Sequence, residues 1–468
     1  MIVRDRAAAG TVLVMVLFIV AILSVVAVSR MMMTRSEVSA AAAAGRGLEA
    51  RATAMSGIHC AMAVLMNSRD DQTAWFDNPP VFQAQSLTGQ GDAEKGWHFT
   101  VYAESREDPT SVRYGLVDEA SKLNLNIATE EMLAQLPNMT LERVDCLLDY
   151  CDGDDEPRPN GAEQEYYDTL PWPYRIKNGP LGTLEELLLV KGFTGTVVFG
   201  EDANCNGLLE PNEDDGDDSF PPDDPNGQLD RGLRCLATAI TYEPNVDSDG
   251  NQRININSED PASLARVLED AGFGQETVDF LVAARRANVS FPDPSHLLEA
   301  TLEVDDPKVQ GRKITISSGV DRSNLHLVMD KLTTGGVRHP ATGQEILFGR
   351  VNLSSAPEEV LRALPGLDGE SAGTIVSVSG GLEGSARSTT AWIYTEGVVS
   401  ADAFKKVSPY VTARSYQYRV RSFGYNPQLG RFCVLEAVID LAQGQPRIAY
   451  LRDLTHLGVP FVPSGVER

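Results

Sequence analysis

The chain has 468 residues, of which 66 are acidic and 40 are basic, so its formal net charge is −26. With 42% apolar and 23% charged residues it has an ordinary globular composition, which excludes wholesale disorder and allows roughly two to four domains. The acidity argues against general nucleic-acid binding, because affinity for phosphates comes largely from Lys and Arg. Six cysteines are too few for a disulfide scaffold.

The amino-terminal segment predicts a transmembrane helix. Residues 11–29 form a run of 19 residues without a charged side chain. As a helix this run would extend about 28 Å, close to the thickness of a bilayer core. A cleaved signal peptide is the alternative, but the run is longer than the apolar region of most signal peptides and no A-x-A-like site follows closely. Arg4 and Arg6 before it, against Arg30 and Arg35 after it, slightly favour a cytoplasmic amino end.

Gly10 stands directly before the apolar run, after a short charged leader. This arrangement resembles the processing site of type IV prepilins and type II secretion pseudopilins, which prepilin peptidase cuts after the Gly. The resemblance implies that Thr11 is the first mature residue. Most members carry Glu at the fifth mature position, where this chain has Met15. The Ala-, Met- and Leu-rich stretch that follows predicts one continuous helix over residues 11–67.

Two antiparallel strands are predicted after this helix. Residues 78–80 (NPP) are expected to end it, because Pro breaks the helical hydrogen-bond pattern. Residues 97–103 (WHFTVYA) and 112–117 (VRYGLV) alternate apolar and polar side chains on either side of a turn at 107–109 (EDP). A long helix followed by a small antiparallel sheet is the order of elements in a pilin-like domain.

An internal repeat of three related segments comes next, beginning KLNLN at 122, RININ at 253 and RVNLS at 350. Each predicts a short strand, a capped helix, a Pro- or Gly-containing hairpin and a second helix. The predicted caps are Asn126, Ser258 and Ser355. The units resemble the helix-hairpin-helix motif, which in many proteins grips a DNA phosphate. We favour a structural role, since Asp368 replaces a hairpin Gly and no Lys/Arg cluster flanks the hairpins.

Residues 202–213 predict a calcium site. They satisfy the EF-hand loop pattern D-x-[DN]-x-[DN]-G-x5-E at every position. The predicted ligands are Asp202, Asn204, Asn206, the carbonyl of Leu208, Glu210 and Glu213, with Gly207 allowing the sharp turn. Residues 194–200 do not look helical, so we expect an isolated EF-hand-like loop. The alternative is a solvated acidic linker.

Three further acidic sets are weaker candidates for cation sites, because their spacings are less specific. They are Asp152, Asp154, Asp155 and Glu163; Asp223, Asp224, Asn226 and Asp230; and Asp247, Asp249 and Asn251. Cys205 and Cys235 flank the acidic region and could form a disulfide. Neither the paired carboxylates nor the six scattered His come with a nucleophile or a metal triad, so we expect no enzymatic activity.

Several stretches together resemble the general secretion pathway protein K family, the minor pseudopilins K of type II secretion. They are DEASKLNLN (118–126), CLLDY (146–150), DGDDEPR (152–158), GAE (161–163), Tyr166-Tyr167, Pro173-Tyr174, KNGP (177–180), LEEL (184–187), VKG (190–192), RVNL (350–353), Trp392 and SYQYRVRSF (415–423). The resemblance covers nearly the whole chain. The acidic insert at 201–230 and the repeat at 253–286 depart from the shorter members of the family.

The resemblance implies a subunit at the tip of the pseudopilus. In the family the fifth-position Glu is thought to pair with the amine of the neighbour above, and a tip subunit, having no neighbour above, needs none; Met15 fits that role. The implied partners are other minor pseudopilins, the pseudopilus, the inner-membrane secretion platform, prepilin peptidase and the lipid bilayer. No nucleic acid is expected.

The predicted fold class is α+β: a long transmembrane helix and a small antiparallel pilin-like sheet, with a large inserted α-helical domain. The predicted division is a leader at 1–10, a transmembrane helix at 11–29, the pilin-like helix and first strands at 30–120, the inserted domain at 121–330, and a third hairpin plus the closing strands at 331–468. The expected location is the inner membrane, with the bulk in the periplasm. Alternatives are a minor pilin of a type IV pilus and a membrane-anchored DNA-binding protein.

Overall fold

The computed structural model describes residues 7–87, 96–105, 108–220, 222–258, 260–305, 312–340, 342–382 and 386–462, with side chains from residue 12 onward. Residues 1–6 of the predicted leader and residue 107 of the predicted turn lie outside the described residues. The expected mixed class is confirmed in its two main features, because the structure combines a long amino-terminal apolar helix with an antiparallel sheet.

The helices and strands of the described chain are as follows. The α-helices are α1 Ala7–Ser68, α2 Gln72–Trp75, α3 Pro79–Phe82, α4 Glu130–Ala134, α5 Leu141–Cys151, α6 Gln164–Asp168, α7 Gly195–Phe199, α8 Pro261–Asp270, α9 Gln275–Arg286, α10 Leu325–Lys331, α11 Glu358–Arg362, α12 Gly369–Ser379, α13 Trp392–Thr395 and α14 Ala401–Val407. The strands are β1 Gln85–Ser86, β2 His98–Glu104, β3 Val112–Arg113, β4 Val117–Asp118, β5 Leu123–Asn124, β6 Ala237–Thr238, β7 Tyr242–Pro244, β8 Ile254–Asn255, β9 Thr301–Asp305, β10 Lys313–Ser317, β11 Leu332–Thr333, β12 Val337–Arg338, β13 Glu345–Phe348, β14 Val351–Asn352, β15 Val411–Thr412, β16 Gln417–Asn426, β17 Arg431–Asp440 and β18 Arg447–Asp453. Short 3₁₀ turns lie at Glu119–Ser121, Leu184–Leu189, Pro211–Glu213, Leu233–Cys235, Pro294–Leu297, Ala386–Ser388, Ser408–Tyr410 and Thr455–Leu457.

Helix α1 has two halves with different surroundings. In its first half the large apolar side chains from Val12 to Met33 are exposed, and within the described residues α1 is the one helix long and apolar enough to cross a membrane. In its second half a buried stripe packs on the sheet; its members are Ala50, Ala54, Ile58, Ala61 and Leu65. Their spacing of three or four residues puts them on one helix face.

The close packing of α1 on the sheet depends on Gly424 of β16. A Cβ atom there would come within 2.7 Å of the backbone oxygen of Ala50 and would also overlap the backbone nitrogen of Ala54. Since real Cβ atoms do not approach backbone so closely, only Gly lets the strand lie against the helix.

The long helix ends within one residue of the predicted range 11–67, but residues 78–80 are not what ends it. Helix α1 ends at Ser68, and Pro79 and Pro80 instead start helix α3 after Asn78. Pro suits the first helical positions, because its fixed φ is already helical and no intrahelical partner is needed for its missing N–H. The Pro pair therefore marks the beginning of a helix, eleven residues after the last residue of α1.

The main sheet joins strands from both ends of the chain. Its order is β1-β2-β16-β17-β18, all antiparallel, with β3 pairing β2 and β4 pairing β16. The strand predicted at 112–117 is therefore two short strands. The chain between them follows the segment after α2, where Trp75 O accepts the amide of Leu116 at 2.9 Å and Tyr114 O accepts the amide of Asn78 at 2.7 Å.

Each predicted repeat contains a short strand and two helices. The strands β5, β8 and β14 lead into the helix pairs α4/α5, α8/α9 and α11/α12. Each of these strands pairs in parallel with a later one, namely β6, β11 and β15. In every copy the strand's Asn, which is Asn124, Asn255 or Asn352, accepts the amide two residues on at 2.9–3.0 Å. The shared Asn turn explains why LN, IN and VN recur in the sequence.

The predicted helix caps are wrong. The first helices of the three units follow Thr129, Asp260 and Pro357, of which Thr129 and Asp260 cap through their side chains. Asn126 instead donates to the carbonyls of Leu181 and Ala239, at 3.0 Å each. The predicted caps lie two or three residues too early in the chain, because the Asn turn lies between the strand and the helix.

Ser258 and Ser355 also act elsewhere. The carbonyl of Ser258 accepts Arg285 Nε at 3.1 Å, and the Ser355 hydroxyl donates to Asp118 at 2.5 Å. Asp118 is buried, and it also accepts the hydroxyl of Ser415 at 2.6 Å and the amide of Asn352 at 3.1 Å. The carboxylate thus ties the third unit to the start of β16.

The described chain has one large helical core, one core between α1 and the sheet, and a small third cluster that includes Tyr102, Phe423 and Leu454. The helical core runs from Leu123 to Val411 and includes the third helix pair, α11 and α12. The second core joins α1 to strands β2, β16 and β17. The packing therefore does not divide at residue 330, because the third unit belongs with the first two and only the chain from residue 416 onward completes the sheet.

Candidate metal centres

The EF-hand-like loop lies between a short helix and a 3₁₀ turn. Contrary to the expectation for residues 194–200, helix α7 (Gly195–Phe199) precedes the loop, with Thr194 capping it. The turn Pro211–Glu213 ends the loop. A helix of five residues was too short to leave a periodic apolar pattern in the sequence.

The first ligand position of this loop is fully buried. The two Asp202 oxygens accept the amides of Asn206 at 3.0 Å and Gly207 at 2.9 Å. Gly207 has φ +79°, which allows the turn at the sixth loop position. The loop backbone thus folds around Asp202 as the EF-hand spacing requires.

The remaining predicted ligands face one another around the loop. Asn204 donates to Glu210 at 2.6 Å, and the Asn206 side-chain oxygen accepts the amide of Leu208 at 2.7 Å. Glu213 accepts the amides of Ala203 at 3.1 Å and Glu210 at 3.2 Å. Every side chain of the predicted set is therefore within the loop, and each already has a hydrogen-bond partner.

Glu213 is fully buried, and burial together with the nearby Asp202 charge raises its pKa to about 7. The raised pKa means that the ionised form of Glu213 is disfavoured at this buried position. A divalent cation held by Asp202 and Glu213 would offset this penalty with its positive charge.

A second centre is formed by Asp152, Asp154 and Glu163. Their ligand atoms lie within 4.8 Å of one another, and in the described part of the chain no other group of three His, Cys, Asp or Glu meets that criterion. Glu163 is only 4% exposed, and neither of its carboxylate oxygens has a hydrogen-bond partner among the described residues. Burial and the neighbouring Asp charges raise the pKa of Glu163 to about 7.

The loop that carries this centre is organised by Arg158. Its guanidinium contacts Asp149 at 2.6 Å and Asp152 at 2.7 Å. Only Oδ2 of Asp152 takes part, while its Oδ1 is buried without a partner in the described chain. A Cβ at Gly161 would overlap the carboxylate of Asp149, so Gly at 161 lets the chain turn back and bring Glu163 to the centre.

Asn178 belongs to this second centre, although sequence analysis did not assign it. Its amide donates to the carbonyl of Asp154 at 3.0 Å and to Asp155 at 3.2 Å. Its side-chain oxygen is buried without a described partner. Asp155 therefore supports the centre through Asn178 and is not in the group of three. KNGP was noted only as part of the family resemblance, and nothing local to it indicated a ligand.

The third acidic set forms turns and does not converge on one point. Asp223 accepts the amide of Gly216 at 2.7 Å, and Asn226 accepts the amide of Gln228 at 2.7 Å. The amides of Asp224 and Asp230 both donate to Glu201, at 2.9 Å and 3.0 Å. Glu201, which the sequence analysis did not single out, thus organises this segment.

The fourth set is also a turn. Asp247 accepts the amides of Asp249 at 3.0 Å and Asn251 at 2.7 Å. This is an Asx-type turn, in which the side chain replaces a backbone acceptor. The proposed Cys205–Cys235 disulfide is not formed, since both are free thiols in the structure.

Comparisons with known proteins bear on the middle of the chain. No curated protein is significantly similar to it in sequence. Among solved structures, one match is the crystal structure of the GspK-GspI-GspJ complex from the type 2 secretion system of enterotoxigenic Escherichia coli. The identity is 11%, 87% of this chain and 96% of the matched chain are covered, and the TM-score is 0.36.

Residues 118–199 match the family model described as type II secretion system, protein K. The matched segment contains the first helix pair and the centre at Asp152, Asp154 and Glu163, and it ends just before the EF-hand-like loop. The resemblance to protein K is thereby confirmed over residues 118–199, which are similar to the type II secretion system protein K family.

Proposed function

We propose that the chain is a minor pseudopilin at the tip of the type II secretion pseudopilus. The observation that carries this proposal is the protein K match at residues 118–199, in a chain whose sheet packs on the second half of a long helix with an exposed apolar first half. Helix α1 anchors the chain in the inner membrane, with the rest in the periplasm, and the assembled tip starts the fibre that exports folded proteins.

Two features support a tip position. The fifth residue after the proposed cleavage is Met15, whose exposed side chain has no charge to offer the amine of a subunit above. The helical core from Leu123 to Val411 adds bulk beside a small sheet, which would obstruct a fibre body but not a free end. The exposed first half of α1 is the surface that would contact the helices of other minor pseudopilins and lipid.

Processing is tested by the intact mass of the protein from cells with and without prepilin peptidase. Loss of residues 1–10 in the presence of that enzyme only is the expected result. A Gly10→Leu variant should remain uncut, while an Ala9→Leu variant serves as the neighbouring control. An uncut wild-type chain, or cleavage after residue 28, would contradict the assignment.

The tip position is tested by gold labelling of sheared pseudopili with an antibody against the helical core. Label at one end of each fibre, and loss of fibres when the chain is deleted, are expected. Label along the fibre length would contradict a tip role. A Met15→Glu variant sharpens the test. If the missing Glu restricts the chain to the end of the fibre, this variant should be incorporated along the fibre.

We also infer that the chain binds calcium at two places, the EF-hand-like loop and the centre at Asp152, Asp154 and Glu163. Both donor sets consist of oxygen atoms, which calcium prefers. The unpartnered oxygens of the buried Glu163 are the strongest support, because an ionised carboxylate at a buried position needs a counter-charge. Calcium would serve as a structural clamp in a periplasm where its concentration is high.

Calcium stoichiometry tests this inference in the full chain purified in detergent. Two equivalents are expected for the wild type and one each for Glu163→Gln and Glu213→Gln. Glu165→Gln is the matched control, since Glu165 lies two residues after Glu163 and its side chain is exposed. Wild-type protein that retains no calcium after dialysis against micromolar calcium, and shows no binding heat at millimolar calcium, would exclude both sites.

A further inference from the structure

A buried arginine contacts the first ligand of the EF-hand-like loop. Arg234 donates from Nη2 to Asp202 Oδ2 at 2.5 Å, and both side chains are almost completely buried. Arg234 lies outside the loop, in the 3₁₀ turn Leu233–Cys235. The positive charge of Arg234 therefore already pairs with Asp202, the carboxylate predicted to bind calcium first in the loop.

The guanidinium is poorly satisfied at this position. Its Nε and Nη1 atoms are buried and have no hydrogen-bond partner among the described residues. A guanidinium has five donors, and buried donors are normally paired. Arg234 is thus held by charge at one carboxylate and is not fixed in place by a full set of hydrogen bonds.

A second acceptor is near. Arg234 Nη2 lies 3.6 Å from Glu104 Oε1 at the end of β2, and that oxygen also accepts Arg421 at 2.8 Å. Arg421 in turn contacts Glu436 at 2.8 Å. A guanidinium that leaves Asp202 would therefore still face a carboxylate, and the loop is linked to the sheet through this ion network.

We propose that Arg234 is a built-in competitor of calcium, an internal cation that holds Asp202 when the ion is absent and gives up that contact when calcium binds. The proposal rests on the inferred calcium site at 202–213 and adds that Arg234 lowers the calcium affinity of this site. Two positive charges cannot share one buried carboxylate without repulsion. The loop would therefore keep its shape without calcium and bind it only where the ion is abundant.

The test uses the full chain in detergent with Glu163→Gln as background, so that the second centre is silent. Calcium binding is followed by titration calorimetry, and heat lost on adding Glu213→Gln defines binding at the loop. Arg234→Gln is expected to tighten this binding at least about tenfold, because it removes a buried positive charge that competes with the divalent ion for Asp202.

Arg231→Gln is the matched control. Arg231 is three residues away and donates to the carbonyls of Ser105 at 2.8 Å and Gly207 at 3.1 Å, not to a ligand carboxylate. The Arg231→Gln variant removes the same charge nearby but frees no ligand carboxylate. The calcium affinity is therefore expected to change by less than about threefold. Equal affinities for the background protein, Arg231→Gln and Arg234→Gln would overturn the competition.

The outcomes separate this proposal from the calcium site itself. Absence of Glu213-dependent binding in the background protein and in Arg234→Gln would remove the site, and the competition with it. Binding that is present but unchanged by Arg234→Gln would overturn the competition alone. Binding that appears only in Arg234→Gln would support it.

Thermal unfolding provides a second measurement if Arg234→Gln is unstable. Calcium should raise the Tm of Arg234→Gln more than that of the background protein, because the ion replaces the missing charge. An Arg234→Gln chain that stays unfolded at millimolar calcium would show that the arginine is needed for folding whatever the ion does, and would overturn the proposal.

Discussion

The two candidate calcium centres differ in how their oxygens are used. In the loop at 202–213 the carboxylates of Asp202 and Glu213 accept backbone amides, and Arg234 also contacts Asp202. In the other centre both oxygens of Glu163 and one of Asp152 are buried without described partners. The carboxylates of the loop are thus already paired, whereas the second centre keeps three buried carboxylate oxygens without a described partner.

Ligand spacing and ligand availability are therefore separate properties of the two centres. The 12-residue pattern of the loop was recognisable because every donor lies in one short segment. Availability depends on what else reaches those donors, and Arg234 and Arg158 come from outside each motif's ligand list. Because both oxygens of Glu163 have no described partner, we expect the second centre to bind calcium more tightly than the loop.

The largest expected effect is at Glu163. Calcium at a hundred times its Kd should stabilise the wild type through this centre by about 2.7 kcal/mol, and Glu163→Gln should remove that gain. Denaturant unfolding with and without calcium measures it. A smaller loss is expected for Glu213→Gln, because Arg234 weakens the loop site; a larger loss for Glu213→Gln would reverse the comparison.

The next effect separates the two centres by their glycines. Gly207→Ala should destabilise the chain by about 1–3 kcal/mol, because Gly207 has φ +79° and a Cβ there would overlap the side chain of Glu104. Gly153→Ala, between two ligands of the other centre, should stay within about 0.5 kcal/mol, since open space surrounds it. Urea unfolding measures the free energy of unfolding of both variants. Equal losses in the two variants would mean that the loop does not pack on β2.

Both centres should respond to pH in the same window. Without calcium the pKa values of Glu163 and Glu213 are about 7, above the ordinary 4.5, so the folded chain binds more protons between these values and its stability falls as pH rises from 4.5 to 7. With calcium the sign reverses, because the ion requires both carboxylates ionised.

The measurable consequence is a calcium affinity that decreases about tenfold per pH unit below 7 at each centre. Titration calorimetry of Glu163→Gln and Glu213→Gln at pH 5.5, 6.5 and 7.5 isolates the two centres. An affinity that is flat across this range would show that neither glutamate is a ligand.

The smallest effect is expected at the acidic turns. Asp249→Asn should leave the calcium stoichiometry unchanged and the free energy of unfolding within about 0.5 kcal/mol, because Asp247, not Asp249, supplies the acceptor of that turn. Calcium stoichiometry and urea unfolding check this. A lost equivalent of calcium would show that the turn is a third site.

The sequence predicted the elements that depend on local pattern. The long helix, the strand predicted at 97–103 and found at 98–104, and the three units of a strand and a helix pair all follow from periodicity or spacing within a short segment. The calcium ligands of the loop stay a prediction. The role of Pro79 and Pro80 and the helix caps were predicted wrongly, because Pro and Asn have two competing local uses and tertiary contacts decide between them.

Contacts between distant segments were not predictable from one sequence. Asn178 reaches Asp154 from 24 residues away, and Arg234 reaches Asp202 from 32 residues away. Similarly, the third repeat was predicted to lie with the closing strands, yet it packs in the helical core. Spacing carries no information about such pairings, which only the folded chain brings together.

The tie between Asp118 and Ser415 has a consequence for the order of folding. Strand β2 pairs with β16 through partners such as Thr100 and Phe423, so the sheet cannot close until nearly the whole chain has been synthesised. Loop closure over such a separation slows assembly. Asp118 and Ser415 hold the two ends of the helical core together at 2.6 Å. A helical core that folds first would present β2 and β16 to each other as near neighbours, converting a late, long-range search into a short one.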